Sequence, residues 1–167
     1  MMKKRYVART VTLLLVIVIM GVIFYFSAQP AEKSSAVSES FIESFLKTFL
    51  SNFKNLSEQQ RTELVESLQF IVRKTAHACV YACLAISAFG FFKTFKLKKS
   101  FEPALFSLLL SLVYAVSDEL HQTAVEGRSG EVRDVLVDTC GAAFGLALVI
   151  LICALIKKIR SGKKNTK

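Results

Sequence analysis

The sequence predicts an all-α, polytopic membrane protein: four transmembrane helices and one outer, interfacial amphipathic helix. Three observations carry this. The 167 residues are 53% hydrophobic with a mean hydropathy of +0.45, too apolar for a soluble domain of this size. Four apolar runs approach the roughly 20 residues that a bilayer crossing needs. The Lys and Arg residues cluster beside those runs, as membrane topology requires, so the net charge of +9 does not form the folded basic patch of a nucleic-acid-binding protein.

The first run is Thr10 to Ala28, "TVTLLLVIVIMGVIFYFSA". Lys3, Lys4, Arg5 and Arg9 precede it, as in a signal peptide. Phe26 would stand at −3 of a cut after Ala28, where a small residue is expected, so a retained helix is predicted. A region from 31 to 72 follows, predicted to stay outside the cytoplasm. Within it Phe41, Phe45, Phe49 and Phe53 recur every four residues, with Ile42, Leu46 and Leu50 beside them. That is one apolar face of a helix, predicted over Phe41 to Asn55, which lies in the outer interface. In "SEQQ", Ser57 and Gln60 have the spacing of a capping box. No Pro or Gly interrupts the chain from there to Gly90, so the second spanning helix is expected to begin near Glu58 and project outward. Its apolar part is Thr75 to Phe92; the third run is Ala104 to Thr123 and the fourth Val135 to Ile156. The four cysteines, Cys79, Cys83, Cys140 and Cys153, lack CxxC spacing and are expected to be small buried apolar residues.

Charge sets the orientation. If all four runs span, fourteen Lys and Arg residues share one side with a single acid, Glu102; the other side holds eight with twelve acids. Both termini are therefore expected in the cytoplasm of a multi-pass cell-membrane protein, with residues 1–167 forming one domain. No nucleic-acid partner is expected, and a homo-oligomer is left open.

The polar residues inside these runs need a reason. Arg73, Lys74, His77 and Tyr81 lie near the outer end of the second run; all but Lys74, at the edge, share one sector. Ser111, Tyr114, Asp118, His121 and Gln122 share a face of the third, from which Glu119 points away. Asp134 and Asp138 share a face of the fourth with Gly141 and Gly145, a small-xxx-small pair read as helix packing. The loop "AVEGRSGEVR" adds Arg128 and Arg133. Because the runs alternate in direction, all of these reach the same depth. Ionisable groups in a membrane turn inward and pair or serve function. Arg73 and Lys74 are expected to oppose Asp118, Asp134 and Asp138, with Arg73, His77, Asp118, Asp134 and Asp138 in one cluster.

These segments carry a resemblance. "RKTAHACVY", "SDELHQ", "GRSGEVRDVLVDTCG" and the earlier "FSAQ" resemble the VanZ-like family of bacterial integral membrane proteins. The family pattern, Arg/Lys-x-x-His-x-x-x-Tyr, Asp-Glu-x-x-Gln, Gly-Arg and Asp-x-x-x-Asp-x-x-Gly, falls on Arg73 or Lys74 with His77 and Tyr81; on Asp118, Glu119 and Gln122; on Gly127 and Arg128; and on Asp134, Asp138 and Gly141. Ser27 and Gln29 fit the motif that ends the first helix. One departure stands out: the family usually has Phe and Pro before its Gly-Arg, whereas this chain reads "TAVEGR". The resemblance implies an envelope protein connected with susceptibility to glycopeptides such as teicoplanin, without a settled biochemical activity.

Several chemistries remain open. A salt-bridged plug holding three helices together is the simplest. No metal or cofactor is expected, since Arg73 and Lys74 sit where a cation would. A proton-coupled transporter is disfavoured by the absence of an inverted repeat. The reading adopted is recognition of an anionic envelope lipid or lipid-linked precursor in the outer leaflet: Arg73, Lys74 and Arg128 suit a phosphate, Asp118, Glu119, Asp134 and Asp138 suit hydroxyls or amines, and His77, Tyr81 and Gln122 complete the binding set. The stretch Phe41 to Phe53 would line the entrance. The alternative is a membrane-embedded lipid hydrolase or transferase, possibly metal-dependent, whose catalytic candidates are His77, Asp118, His121 and Asp138.

Overall fold

The computed structural model describes residues 2–162. Lys163, Lys164 and Lys167, counted in the charge argument, lie outside the described residues. The described residues fold into five α-helices: α1 (Met2–Ser27), α2 (Ala31–Phe49), α3 (Glu58–Phe92), α4 (Glu102–Gln122) and α5 (Val132–Gly162), with one 3-10 turn among them at Phe53–Asn55. Four of them, all but α2, are long and apolar enough to cross a membrane.

Local chemistry sets the boundaries. Ser57 Oγ accepts from the Gln60 backbone N–H and the Gln60 side chain accepts from the Ser57 N–H, closing the predicted capping box. From it α3 runs unbroken for 35 residues, about 52 Å at 1.5 Å per residue, well over the roughly 30 Å of bilayer hydrocarbon. The surplus carries α2. Pro103 occupies the first turn of α4, where its missing N–H costs nothing.

α3 is the hub, packing on every other helix. Its Tyr81, Leu84, Ala85, Ala88 and Phe89 form the main core with Val16 and Ile23 of α1, Ala115 of α4, and Ala142 and Leu146 of α5. Close approach of α3 and α5 depends on glycine. A Cβ on Gly141 would lie 2.6 Å from Ala78 Cα, and one on Gly145 2.8 Å from the Ala82 carbonyl oxygen. In lipid such small-residue contacts drive association, since apolar side chains gain nothing by leaving acyl chains for each other. Accordingly, large apolar residues such as Leu14, Val18, Val113, Phe144 and Leu151 remain exposed around the perimeter. Ser107 and Ser111, both fully buried, donate to the carbonyls of Pro103 and Ser107 one turn back, at 2.6 and 3.0 Å.

The ends of the bundle are tied separately. At one, Arg9 Nε donates to Thr94 Oγ1 (3.2 Å), joining the start of α1 to the α3–α4 connection. At the other, the Ala31 N–H donates to the Glu126 carbonyl (3.2 Å), joining the α1–α2 connection to the α4–α5 loop. The spans therefore alternate in direction, as charge predicts.

Three expectations are corrected. The amphipathic helix covers Ala31–Phe49 and not Phe41 to Asn55, and Phe53 falls in the 3-10 turn. Its packed face is Ile42 and Leu46, which with Phe53 and Val65 form a second small core, while Phe41, Phe45 and Phe49 point outward. Period-four apolar residues form a stripe, but the neighbouring stripe at Ile42 and Leu46 is the one facing α3. Finally, all four cysteines are free and exposed on the outer surfaces of α3 and α5; a small residue in an apolar run can face lipid as easily as core.

Candidate functional site

Helix rise fixes the depth of the polar residues. Arg73 lies nineteen residues before the end of α3 at Phe92, about 28 Å along the axis. Asp138 lies eighteen residues before Ile156 on α5, about 27 Å, and Asp118 sixteen residues after the start of α4, about 24 Å. With the Lys-rich ends at one face of a roughly 30 Å hydrocarbon layer, these groups stand at or just inside the opposite boundary.

Three connected arrangements occur there. The first is a buried hydrogen-bond network centred on Gln122. Ser27 Oγ, at the end of α1, donates to Asp118 Oδ2 at 2.7 Å. Gln122 Nε2 lies 3.1 Å from the same oxygen and 3.3 Å from both Ser27 Oγ and Glu119 Oε1. Gln122 Oε1 accepts from Arg128 Nη1 (3.1 Å), and Arg128 Nη2 donates to the Phe26 carbonyl (3.3 Å). Glu119 Oε2 accepts from the Glu131 backbone N–H at 2.9 Å. Asp118, Glu119 and Gln122 are each about 5% exposed, so every one of these bonds replaces hydration lost on burial. The network holds the α4–α5 loop onto α4: Gly127 turns it with a φ of +71°, which an L side chain rarely adopts, and a Cβ on Gly130 would lie 2.8 Å from the Glu119 carbonyl oxygen. Arg128 thus docks despite the atypical "TAVEGR" segment.

The second arrangement is an ion pair between Lys74 of α3 and Asp134 of α5, both partly buried. In the third, His77 Nδ1 lies 3.8 Å from Asp138 Oδ1. Asp138 is 1% exposed, and neither of its carboxylate oxygens has a hydrogen-bond partner among the described residues; the same is true of the Tyr81 hydroxyl, also fully buried.

Between these arrangements lie two open spaces and a small connecting one. A groove of about 320 Å³ separates α1, α2 and α3; Val22, Phe26, Val37 and Val80 are among its apolar walls, and Arg73, His77, Tyr81 and Arg128 also line it. A polar chamber of about 230 Å³ is bounded by Arg73, Lys74, Gln122, Arg128, Ser129 and Asp134. A cavity of about 20 Å³, bordered by His77 and Asp138, touches the residues of both. Arg73 and Arg128 are common to all three. Among the described residues neither arginine has a carboxylate within ion-pair distance. Burial above all, and next the neighbouring Arg73 charge, lowers the Arg128 guanidinium from its ordinary value. Two guanidiniums on one space present planar forks of donors, the geometry that phosphate and carboxylate oxygens match.

Several expectations about individual residues change. Asp118 is held by Ser27 and Gln122; Arg73 and Lys74 do not reach it, because the end of α1 intervenes with a hydroxyl donor. Glu119 does not point away but is buried in the network, since the α4–α5 loop folds over its side of α4. His121 stacks on Phe24 of α1 with ring centroids 4.7 Å apart, and it lines none of these spaces. The exposed stripe Phe41, Phe45 and Phe49 does not line the groove; Lys33, Ser34, Val37 and Ser38, from the first turns of α2, do. Ser27 is the partner that residue patterning missed; its signal was a small polar residue closing an apolar run at the depth of Asp118.

Four apolar helices around a charged site near one end define a multi-pass helical membrane protein. The model of the VanZ/LLP1 family matches residues 12–154, a span that contains every residue of the site, and the chain belongs to that family. No curated protein and no solved structure matches it.

Proposed function

We propose that the protein binds an anionic envelope lipid, or a lipid-linked envelope precursor, at the outer boundary of the cell membrane, with both termini in the cytoplasm. The observation that carries this is the pair Arg73 and Arg128, which share one groove with no carboxylate partner among the described residues. Guanidiniums match phosphate oxygens with planar, bidentate geometry, and charge-assisted bonds of this kind are about twice as strong as neutral ones. The apolar walls suit a hydrocarbon chain, so headgroup and tail find their own chemistry within one space. Exposed Tyr25, Phe26 and Val37 on its lining suit lateral entry from the lipid. The fourteen-to-eight division of Lys and Arg supports an outward-facing site. Held there, such a lipid would alter how the envelope meets glycopeptide drugs, the effect that the family resemblance implies.

Native mass spectrometry in mixtures of anionic and zwitterionic lipids tests the reading. Wild type should retain anionic lipid selectively. Arg73→Ala removes a charged hydrogen-bond donor of about 1.5–3 kcal/mol and should lower retention at least tenfold, with helicity unchanged. Equal retention by the two proteins refutes the site.

A further inference from the structure

We infer that this site also hydrolyses the phosphoric anhydride of a lipid diphosphate, with His77 as general base and Asp138 as the group that orients it; the inference rests on the anionic-lipid reading above. Asp138 is buried to 1% exposure, and the His77 ring, 3.8 Å away, is the one basic side chain in ion-pair range among the described residues. A carboxylate so placed has little to gain from burial unless it holds an imidazole. Catalytic hydrogen bonds are often this long outside the Michaelis complex and tighten within it. Since Nδ1 is the nitrogen nearest Asp138, Nε2 is the one left to act as base.

The surroundings supply the remaining parts. His77 borders both the apolar groove and the small cavity that adjoins the polar chamber. A lipid tail in the groove brings its terminal phosphate to Arg73 and Arg128, which the groove and chamber share. Water reaches phosphorus from the small cavity that His77 and Asp138 border, which shares Lys74, Gln122 and Asp134 with the chamber. Attack and departure then lie on opposite sides of the phosphorus, as in-line displacement requires.

The step balances with water alone. Nε2 of His77 takes one water proton, the water oxygen forms a bond to the terminal phosphorus, and the bridging P–O bond breaks. The electron pair leaves with the lipid monophosphate, the terminal phosphate departs as inorganic phosphate, and the His77 proton passes to solvent. An anhydride fits this site better than an ester. Its leaving group is itself a phosphate, which the guanidiniums stabilise, and it needs no acid at the departing oxygen. The Tyr81 hydroxyl, buried one turn from His77 without a partner among the described residues, is a ready donor to a substrate oxygen.

The test uses the full chain in phosphatidylcholine nanodiscs with geranylgeranyl diphosphate. Wild type should release one inorganic phosphate per lipid and leave the monophosphate. His77→Ala and His77→Gln should each lower the rate at least about 100-fold, the usual contribution of a positioned base, while native mass spectrometry still detects bound lipid, so that the loss is not one of occupancy. Asp138→Asn should lower kcat while leaving KM and lipid retention near wild type, the split expected of a group that orients the base and does not hold the lipid. Retention of the diphosphate without phosphate release above the Arg73→Ala background overturns hydrolysis and leaves binding standing. Wild-type rates in both His77 variants overturn the base, and equal hydrolysis of geranylgeranyl monophosphate overturns the anhydride assignment. Failure of wild type to retain the diphosphate at all defeats this inference together with the reading it rests on.

Discussion

Replacing Gly141 by alanine places one carbon where α3 and α5 have no room for it. The new Cβ would stand 2.6 Å from Ala78 Cα and 2.7 Å from its carbonyl carbon, whereas ordinary contact begins near 3.4 Å. These atoms, and the still nearer Ala78 carbonyl oxygen, are helix backbone and cannot rotate aside, so the helices must part by at least about 0.8 Å at this level. Overpacking of this kind costs about 1–3 kcal/mol. The displacement falls on the site as well, because Ala78 adjoins His77 and Asp138 lies one turn before Gly141, so their 3.8 Å separation must change. Gly21 on α1 is the control: a Cβ there meets nothing within 4 Å. At Gly21 alanine should be neutral or should stabilise by up to about 1 kcal/mol through helix propensity. Denaturant unfolding in micelles, followed by circular dichroism, should therefore give a lower midpoint for Gly141→Ala and an unchanged or higher one for Gly21→Ala. Coincident midpoints for the two variants would refute the claim that small-residue contact holds α3 to α5.

Two further outcomes follow from the same structure. Ser27→Ala removes the 2.7 Å donor to buried Asp118 and should cost about 1–3 kcal/mol in the same unfolding assay; a loss below 0.5 kcal/mol would mean that Gln122 alone satisfies the carboxylate. Single cysteines at Ser34 and Lys98, in a background lacking the four native ones, should label from opposite sides of the membrane, the first from outside; labelling from one side would overturn the four-span topology.

Much of this was legible along the chain because it depends on local or one-dimensional quantities. Apolar run length against bilayer thickness, the Ser57–Gln60 cap, the uninterrupted stretch from Glu58 and the asymmetry of Lys and Arg all act without reference to a partner helix. The depth of Arg73, Asp118 and Asp138 follows from the same arithmetic, since helix rise is fixed. The pairing of Lys74 with Asp134 and the seating of Gly141 against Ala78 were within reach for the same reason: three helices of alternating direction leave few arrangements at one level.

Rotation about each helix axis and the course of the loops were not legible, and the corrections fall there. A 3.6-residue period finds a stripe but does not say which neighbouring stripe wins the contact, so Ile42 and Leu46 face α3 while Phe41, Phe45 and Phe49 face outward. In an apolar solvent a lipid-facing and a core-facing residue have the same hydropathy, and the four cysteines landed on the outer side. Glu119 is buried because a loop twelve residues away folds over it, and Asp118 meets Ser27 because α1 ends beside it, contacts with |i−j| of 12 and 91. The sequence by itself determined a charged site near one end of a four-helix membrane bundle. Only the tertiary structure decided that Asp118 is spent on an internal network while Arg73, and Arg128 beyond its bonds to Gln122 and Phe26, border open space without a carboxylate in ion-pair range among the described residues, because which charges neutralise one another depends on side-chain distances of a few ångströms that no linear pattern encodes.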